Sequence, residues 1–149
     1  MKFVIIPLAA LIITQCCKVA IDFIKHKRTR FKLKYLNYYG GMPSSHSALF
    51  AALLIVSWLE QGWQSFEFAL SLILYLVVVR DAVGIRWHLG QHGAILKQLI
   101  EEHDRDHQYL NHDQIRHGQI VTRLGHTPLE AAVGTLFGIV IAVVLSGVL

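Results

Sequence analysis

Apolar residues gather along this chain in four runs, at about 3–24, 47–60, 66–79 and 131–149, and nearly all the charges fall between them. The first and last runs are close to the roughly 20 residues that carry a helix across a bilayer core, while the middle two are shorter. Read as helices, they predict an all-α, polytopic membrane helix bundle of about four apolar helices with a polar helical loop, forming a single domain over 1–149. EQGWQSF, residues 60–66, supplies Gly62 and Trp63 in a tight polar turn suited to joining two antiparallel helices at a membrane interface.

Composition agrees with that pattern. Hydrophobic residues make up 54% of the chain and charged residues only 16%, against about a quarter charged in an ordinary soluble domain. The mean hydropathy is +0.45. A net charge of +4 would raise nucleic acid as a partner of a soluble protein. Here the basic block KHKRTRFKLK, residues 25–34, flanks an apolar run, so it reads as an orientation signal and no nucleic-acid partner is expected. MKFVIIPLAALIITQCC has no small-x-small cleavage site after its apolar core and is read as a span, not a leader. Cys16 and Cys17 are adjacent in that run, so they offer no disulfide framework and are expected to be small buried fillers.

Placing the basic block in the cytoplasm puts the N-terminus on the opposite side and fixes the rest by alternation. Runs two and four then begin at the cytoplasmic face, and runs one and three end there. Every unusual polar residue lies near one of those four ends, so groups distant in sequence are expected to meet at one interface. Ionisable residues at such a depth are functional candidates by default.

The first candidate is GGMPSSH, residues 40–46. Gly40 and Gly41 permit unusual backbone geometry, Pro43 suits a first helical turn, and Ser44 or Ser45 is a fitting cap. Beyond a competent helix start, the stretch concentrates hydroxyls including Ser47, the imidazole of His46 and unpaired N–H groups at the positive end of a helix dipole. That combination suits a phosphate. In RLGHTPLEAAVG, residues 123–134, Thr127, Pro128 and Glu130 read as a capping box with proline at the first helical position. The box leaves His126 and Arg123 unexplained. A histidine with a carboxylate four residues on also fits a nucleophile and its orienter. Glu130 is thus claimed by two jobs, and the sequence leaves the conflict open.

Lys18 and Lys25 are two turns apart on one helical face. Lys25 reads as a snorkelling member of the basic block. Lys18 lies deeper, and either pairs with Asp22 one turn on or serves an anion. At RDAVGIR, Arg80, Asp81 and Arg86 close the third run, where cations complement the helix dipole and Asp81 needs a cationic neighbour. His103 and His107 have a helical metal-ligand spacing, but their segment interleaves both signs of charge as a solvated loop does, and no metal is expected.

GGMPSSHSA, RDAVGIR and LGHTPLEAAVG, in this order, resemble the divergent branch of the type 2 phosphatidic acid phosphatase superfamily, which also takes in vanadium-dependent haloperoxidase-related proteins. The likeness runs from Lys18 to Gly138. It implies a metal-independent hydrolase, with no cofactor, that cleaves a lipid phosphate or pyrophosphate through a phosphohistidine. His126 matches the nucleophile, Glu130 its orienter in place of the usual aspartate, and His46 the general acid. Lys18, Ser44 and Ser45 match positions that hold phosphate. Ser45 stands where the superfamily has glycine, Lys25 and His26 where it has arginine and proline, and Ile120 where it has an arginine. Arg123, Arg80 and Arg86 are the candidates for that missing cation, with Asp81 beside them.

Two rival functions fit the same runs: a membrane protein of this fold that binds an anionic headgroup without turnover, and a small transporter or metal-handling protein using the histidine-rich loop. Membrane lipids are the expected surroundings, and a bacterial inner membrane with the site at its cytoplasmic face the expected place. Gly134 and Gly138, four apart, permit a close helix contact within one chain or between chains of a homo-oligomer.

Overall fold

The computed structural model describes residues 1–26, 41–107 and 126–148. Five helices account for nearly all of them: α1 (Lys2–His26), α2 (Ser45–Gln61), α3 (Phe66–Val83), α4 (Ile85–His107) and α5 (Pro128–Val148). The four apolar runs correspond to α1, α2, α3 and α5, and the polar stretch after Arg80 continues as α4. The expected all-α membrane bundle is the observed one.

Local signals set the helix ends. Ser44 caps α2, its hydroxyl accepting from the Ser47 N–H, and Ser65 caps α3 by accepting from the Phe68 N–H at 3.1 Å. Between α2 and α3, Gly62 has φ 84°, a left-handed conformation that favours glycine, and its N–H donates to the Trp58 carbonyl. The turn read from EQGWQSF is therefore present. Gly84 separates α3 from α4, its N–H donating to the Arg80 carbonyl at 2.8 Å.

Three helical stretches are long and apolar enough to cross a membrane: Lys2–Ile24, Phe66–Ile100, which includes α3 and much of α4, and Pro128–Val148. α2 has 17 residues, about 25 Å of helix, and is surrounded instead. It packs on α1, α3 and α5, whereas α4 touches only α3 among the described elements.

Side-chain size is sorted as a bilayer demands. The interior is built from small residues, with Ala48, Ala51, Ala52, Ala131 and Ala142 buried along with Gly134 and Gly138. Large ones such as Leu70, Ile73, Leu76, Val140 and Val144 are exposed, where lipid tails would meet them. Lipid gives no hydrophobic push between helices, so close approach and dispersion must hold them together, and small residues allow that approach. Gly138 shows how tight it is. A Cβ there would lie 2.8 Å from the Ala48 Cα, and one on Gly134 2.9 Å from the Ser44 nitrogen. The pair of glycines thus seats α5 on α2 within one chain. Cys16 is exposed and Cys17 half-buried, so the expectation of two buried fillers fails for Cys16, which sits on the outward face of α1.

Candidate active site where two helix starts meet

The starts of α2 and α5 are joined backbone to backbone. The Ser44 N–H donates to the Glu130 carbonyl at 3.1 Å, directly beside the glycine contact. The end of α3 closes on the same place, since the His126 N–H donates to the Ala82 carbonyl at 2.9 Å. Chain segments far apart in sequence therefore fix the His126 turn from both sides.

Glu130 carries both jobs that its spacing offered. Its Oε2 accepts from the Thr127 N–H at 3.1 Å while the Thr127 Oγ1 accepts from the Glu130 N–H at 3.2 Å, a reciprocal capping box. The same Oε2 lies 3.2 Å from His126 Nδ1. A carboxylate oxygen has two lone pairs, so one atom serves cap and imidazole together. With Nδ1 donating to this carboxylate, the lone pair of the neutral ring falls on Nε2.

Charges converge on that ring. His126 is 8% exposed, and burial holds its pKa below the ordinary 6.5. The Glu130 hydrogen bond opposes that shift, while Lys18 and His46 add to it by charge repulsion. Lys18, His46 and Glu130 thus all act on His126 by charge, and Glu130 touches it directly. Lys18 comes from α1, where Ile6, Ala10, Thr14 and Lys18 form one buried stripe at four-residue spacing. Both Glu130 and Asp22 lie within its electrostatic reach. Gly41, at φ 93°, runs over the lysine stem, since a Cβ there would sit 3.4 Å from Lys18 Cε.

The serines divide. Ser44 is fully buried, its Oγ accepting from the Ser47 Oγ at 3.0 Å, so the hydroxyl serves the α2 cap while the N–H serves the α2–α5 junction. Ser45, 6% exposed, donates its hydroxyl to Gln15 Oε1 on α1 at 2.5 Å. His46 is exposed, at the mouth of the arrangement. As the first residues of α2, Ser45 and His46 carry N–H groups that have no intrahelical acceptor.

The remaining candidates lie to one side. Arg80 is exposed and Asp81 half-buried near the end of α3, two and one residues before the carbonyl that holds His126. Arg86 is the second residue of α4. Arg123 lies outside the described residues, as do Gly40, Ile120 and the basic block from residue 27 on. Among the described residues no three His, Cys, Asp or Glu side chains are placed to hold a metal ion. Sequence reasoning missed two contributors, Gln15 and the Ala82 carbonyl. A glutamine three residues before Lys18 in an apolar helix was the available signal for the first. A backbone carbonyl leaves none.

A family model described as "Divergent PAP2 family" matches residues 1–141. The chain is also similar to "Uncharacterized membrane protein YuiD" of Bacillus subtilis (strain 168), 34% identical over 147 aligned residues covering 93% of this chain and 90% of that protein. No solved structure matches.

Proposed function

This chain belongs to the divergent PAP2 family, and on that premise we propose that it is a membrane phosphatase acting on a lipid phosphate or pyrophosphate at the cytoplasmic interface. One observation carries the reading: a buried imidazole held neutral, with Nδ1 bound to a carboxylate that is itself fixed by a helix cap. Such a ring keeps its second nitrogen as the nucleophile.

In the first step His126 Nε2 attacks phosphorus, the N–P bond forms, and the bond from phosphorus to the leaving oxygen breaks. His46 gives that oxygen its proton. In the second step water attacks the phosphohistidine, the N–P bond breaks, and His46 takes the proton of the attacking water. An exposed His46 suits both transfers, because the leaving group and the water arrive from the open side. Lys18 and the first N–H groups of α2 balance charge on the equatorial oxygens, and Ser45 lies beside them. Glu130 stabilises the imidazolium character that His126 gains on attack.

The site's location at the starts of α2 and α5 limits substrates to those whose phosphoryl group lies at the bilayer edge. Orientation by the basic block assigns that edge to the cytoplasm. Purified protein in detergent, given phosphatidic acid, phosphatidylglycerophosphate and polyprenyl phosphates in turn, is expected to release phosphate from at least one, and to form an acid-labile phosphohistidine that His126→Ala abolishes. Release from none of them, or equal release by His126→Ala, overturns the proposal.

A further inference from the structure

Ser45 occupies a position where the superfamily motif has glycine, and its hydroxyl is not idle. Buried in the first turn of α2, it has no carbonyl of a preceding helical turn to bond, the usual refuge of a serine inside a helix. Its partner is Gln15, from 30 residues earlier, at 2.5 Å. The partner sits in the middle of an apolar helix, a place where a carboxamide is costly unless its hydrogen bonds are met. Gln15 lies three residues before Lys18, so it stands on the side of α1 that faces the phosphate-suited end of α2.

We infer that Gln15 is a positioning residue for the phosphate site, acting through Ser45. The inference rests on the phosphatase reading. A hydroxyl has one proton, and Ser45 gives it to Gln15 Oε1. When a phosphoryl group lies over the start of α2, the hydroxyl turns its proton to a phosphoryl oxygen and needs a donor in return. A carboxamide supplies either role, because Oε1 accepts and Nε2 donates. Gln15 thereby keeps the Ser45 oxygen in place in both states and polarises it towards the anion when bound. No bond is made or broken in the exchange beyond hydrogen bonds. Glutamate at position 15 keeps the acceptor and loses the donor, and methionine loses both at similar length.

Those differences separate a positioning role from a simple tie between α1 and α2. The experiment measures KM, kcat and the competitive inhibition constant of inorganic phosphate for the full chain in detergent, together with the thermal midpoint, in wild type, Gln15→Met, Gln15→Glu, Ser45→Gly and the Ser45→Gly/Gln15→Met double variant. Loss of one such hydrogen bond to an anion predicts that Gln15→Met and Gln15→Glu each raise KM and the phosphate constant about 10-fold. Ser45→Gly is expected to cost about as much, and adding Gln15→Met to it nothing further, because the two residues act as one unit. A tie alone predicts a lower midpoint for Gln15→Met with unchanged constants in the surviving protein. That outcome overturns the inference and leaves the phosphatase reading standing. Wild type that neither turns over nor binds phosphate overturns both.

Discussion

The two ends of the α1–α2–α5 unit are built from the same helices by different physics. Away from the site, Ile6, Ala10, Ala52, Val56 and Ala142 form a closed apolar core with Phe3, Ile55, Ile141 and Leu145 packed against it. Eight residues along α1 from Ala10, the same stripe ends in Lys18, and the buried residues of the other helix starts become polar: Ser44, Ser45 and His126. Dispersion between small residues holds the first end. At the second, caps, backbone bonds and side-chain bonds engage Ser44, Ser45, His126 and Glu130, because a polar group left unpaired in a bilayer-facing bundle costs free energy, as the buried Thr14 hydroxyl, which has no partner among the described residues, does. One end therefore tolerates polar substitution poorly, while at the other the proposed chemistry and the helix cap share the atoms of Glu130.

Glu130 is where that sharing is most complete, and Glu130→Gln separates the two roles. Glutamine still accepts the Thr127 N–H, as capping boxes allow, so the thermal midpoint should move little. Its amide does not stabilise an imidazolium as a carboxylate does, and it permits the wrong tautomer of His126. Turnover is expected to fall about 100-fold or more. Equal losses of activity and folded protein would mean that the cap and the site cannot be told apart.

The glycine seam links both ends and should respond in the opposite way. Gly138→Ala places a Cβ against the Ala48 backbone, which no rotamer change relieves. A cost of about 1–3 kcal/mol is expected, read as a lower thermal midpoint in detergent, with activity lost in proportion to folded protein. Unchanged stability would show that α5 shifts along α2 without penalty.

Acidity sharpens the contrast further, because His126 belongs to the site end. Its pKa lies below 6.5, chiefly through burial. The neutral, nucleophilic ring is therefore retained below that value, and the acid limb of kcat/KM should fall below pH 6.5. Glu130 raises the pKa, so Glu130→Gln should move the limb to still lower pH. Stability follows by linkage. A depressed folded value gives stability that is present above the unfolded value and is lost as pH falls through the folded one. The thermal midpoint is expected to decline below pH 6.5, and less steeply in His126→Gln.

How much of this the chain revealed beforehand follows from the range of each signal. The helices were legible because apolar runs and their caps, Ser44 and Thr127, are local, while the Ser65 cap was passed over inside the EQGWQSF turn. The meeting of the α2 and α5 starts was also legible, since threading polarity alone brings those helix ends together. The double duty of Glu130 was not, because spacing shows who is within reach and not how many lone pairs are used. Nor was the seam: Gly134 and Gly138 admit a partner on any chain, and only coordinates choose α2. Gln15 was passed over because its meaning depends on a serine 30 residues away. Ser44 read as a phosphate contact from its hydroxyl, and spacing did not show that the buried hydroxyl also accepts from Ser47 within the α2 cap.

The smallest expected effect lies at the far end, where one polar contact borders the apolar core. Lys2 Nζ lies 2.8 Å from Glu60 Oε1, with the two side chains 33% and 30% exposed. In such a setting solvent and salt screen most of the attraction, and holding two long side chains together costs entropy, so the pair should contribute under about 1 kcal/mol. Lys2→Met is expected to lower the thermal midpoint slightly at low ionic strength, and the difference from wild type should vanish in about 1 M salt, where the Debye length shrinks to about 3 Å. Turnover should not change, because the pair borders the end of the unit opposite His126. A large loss at low ionic strength that salt removes would mean that this end leans on charge after all, and that the division between a packed end and a hydrogen-bonded end is drawn in the wrong place.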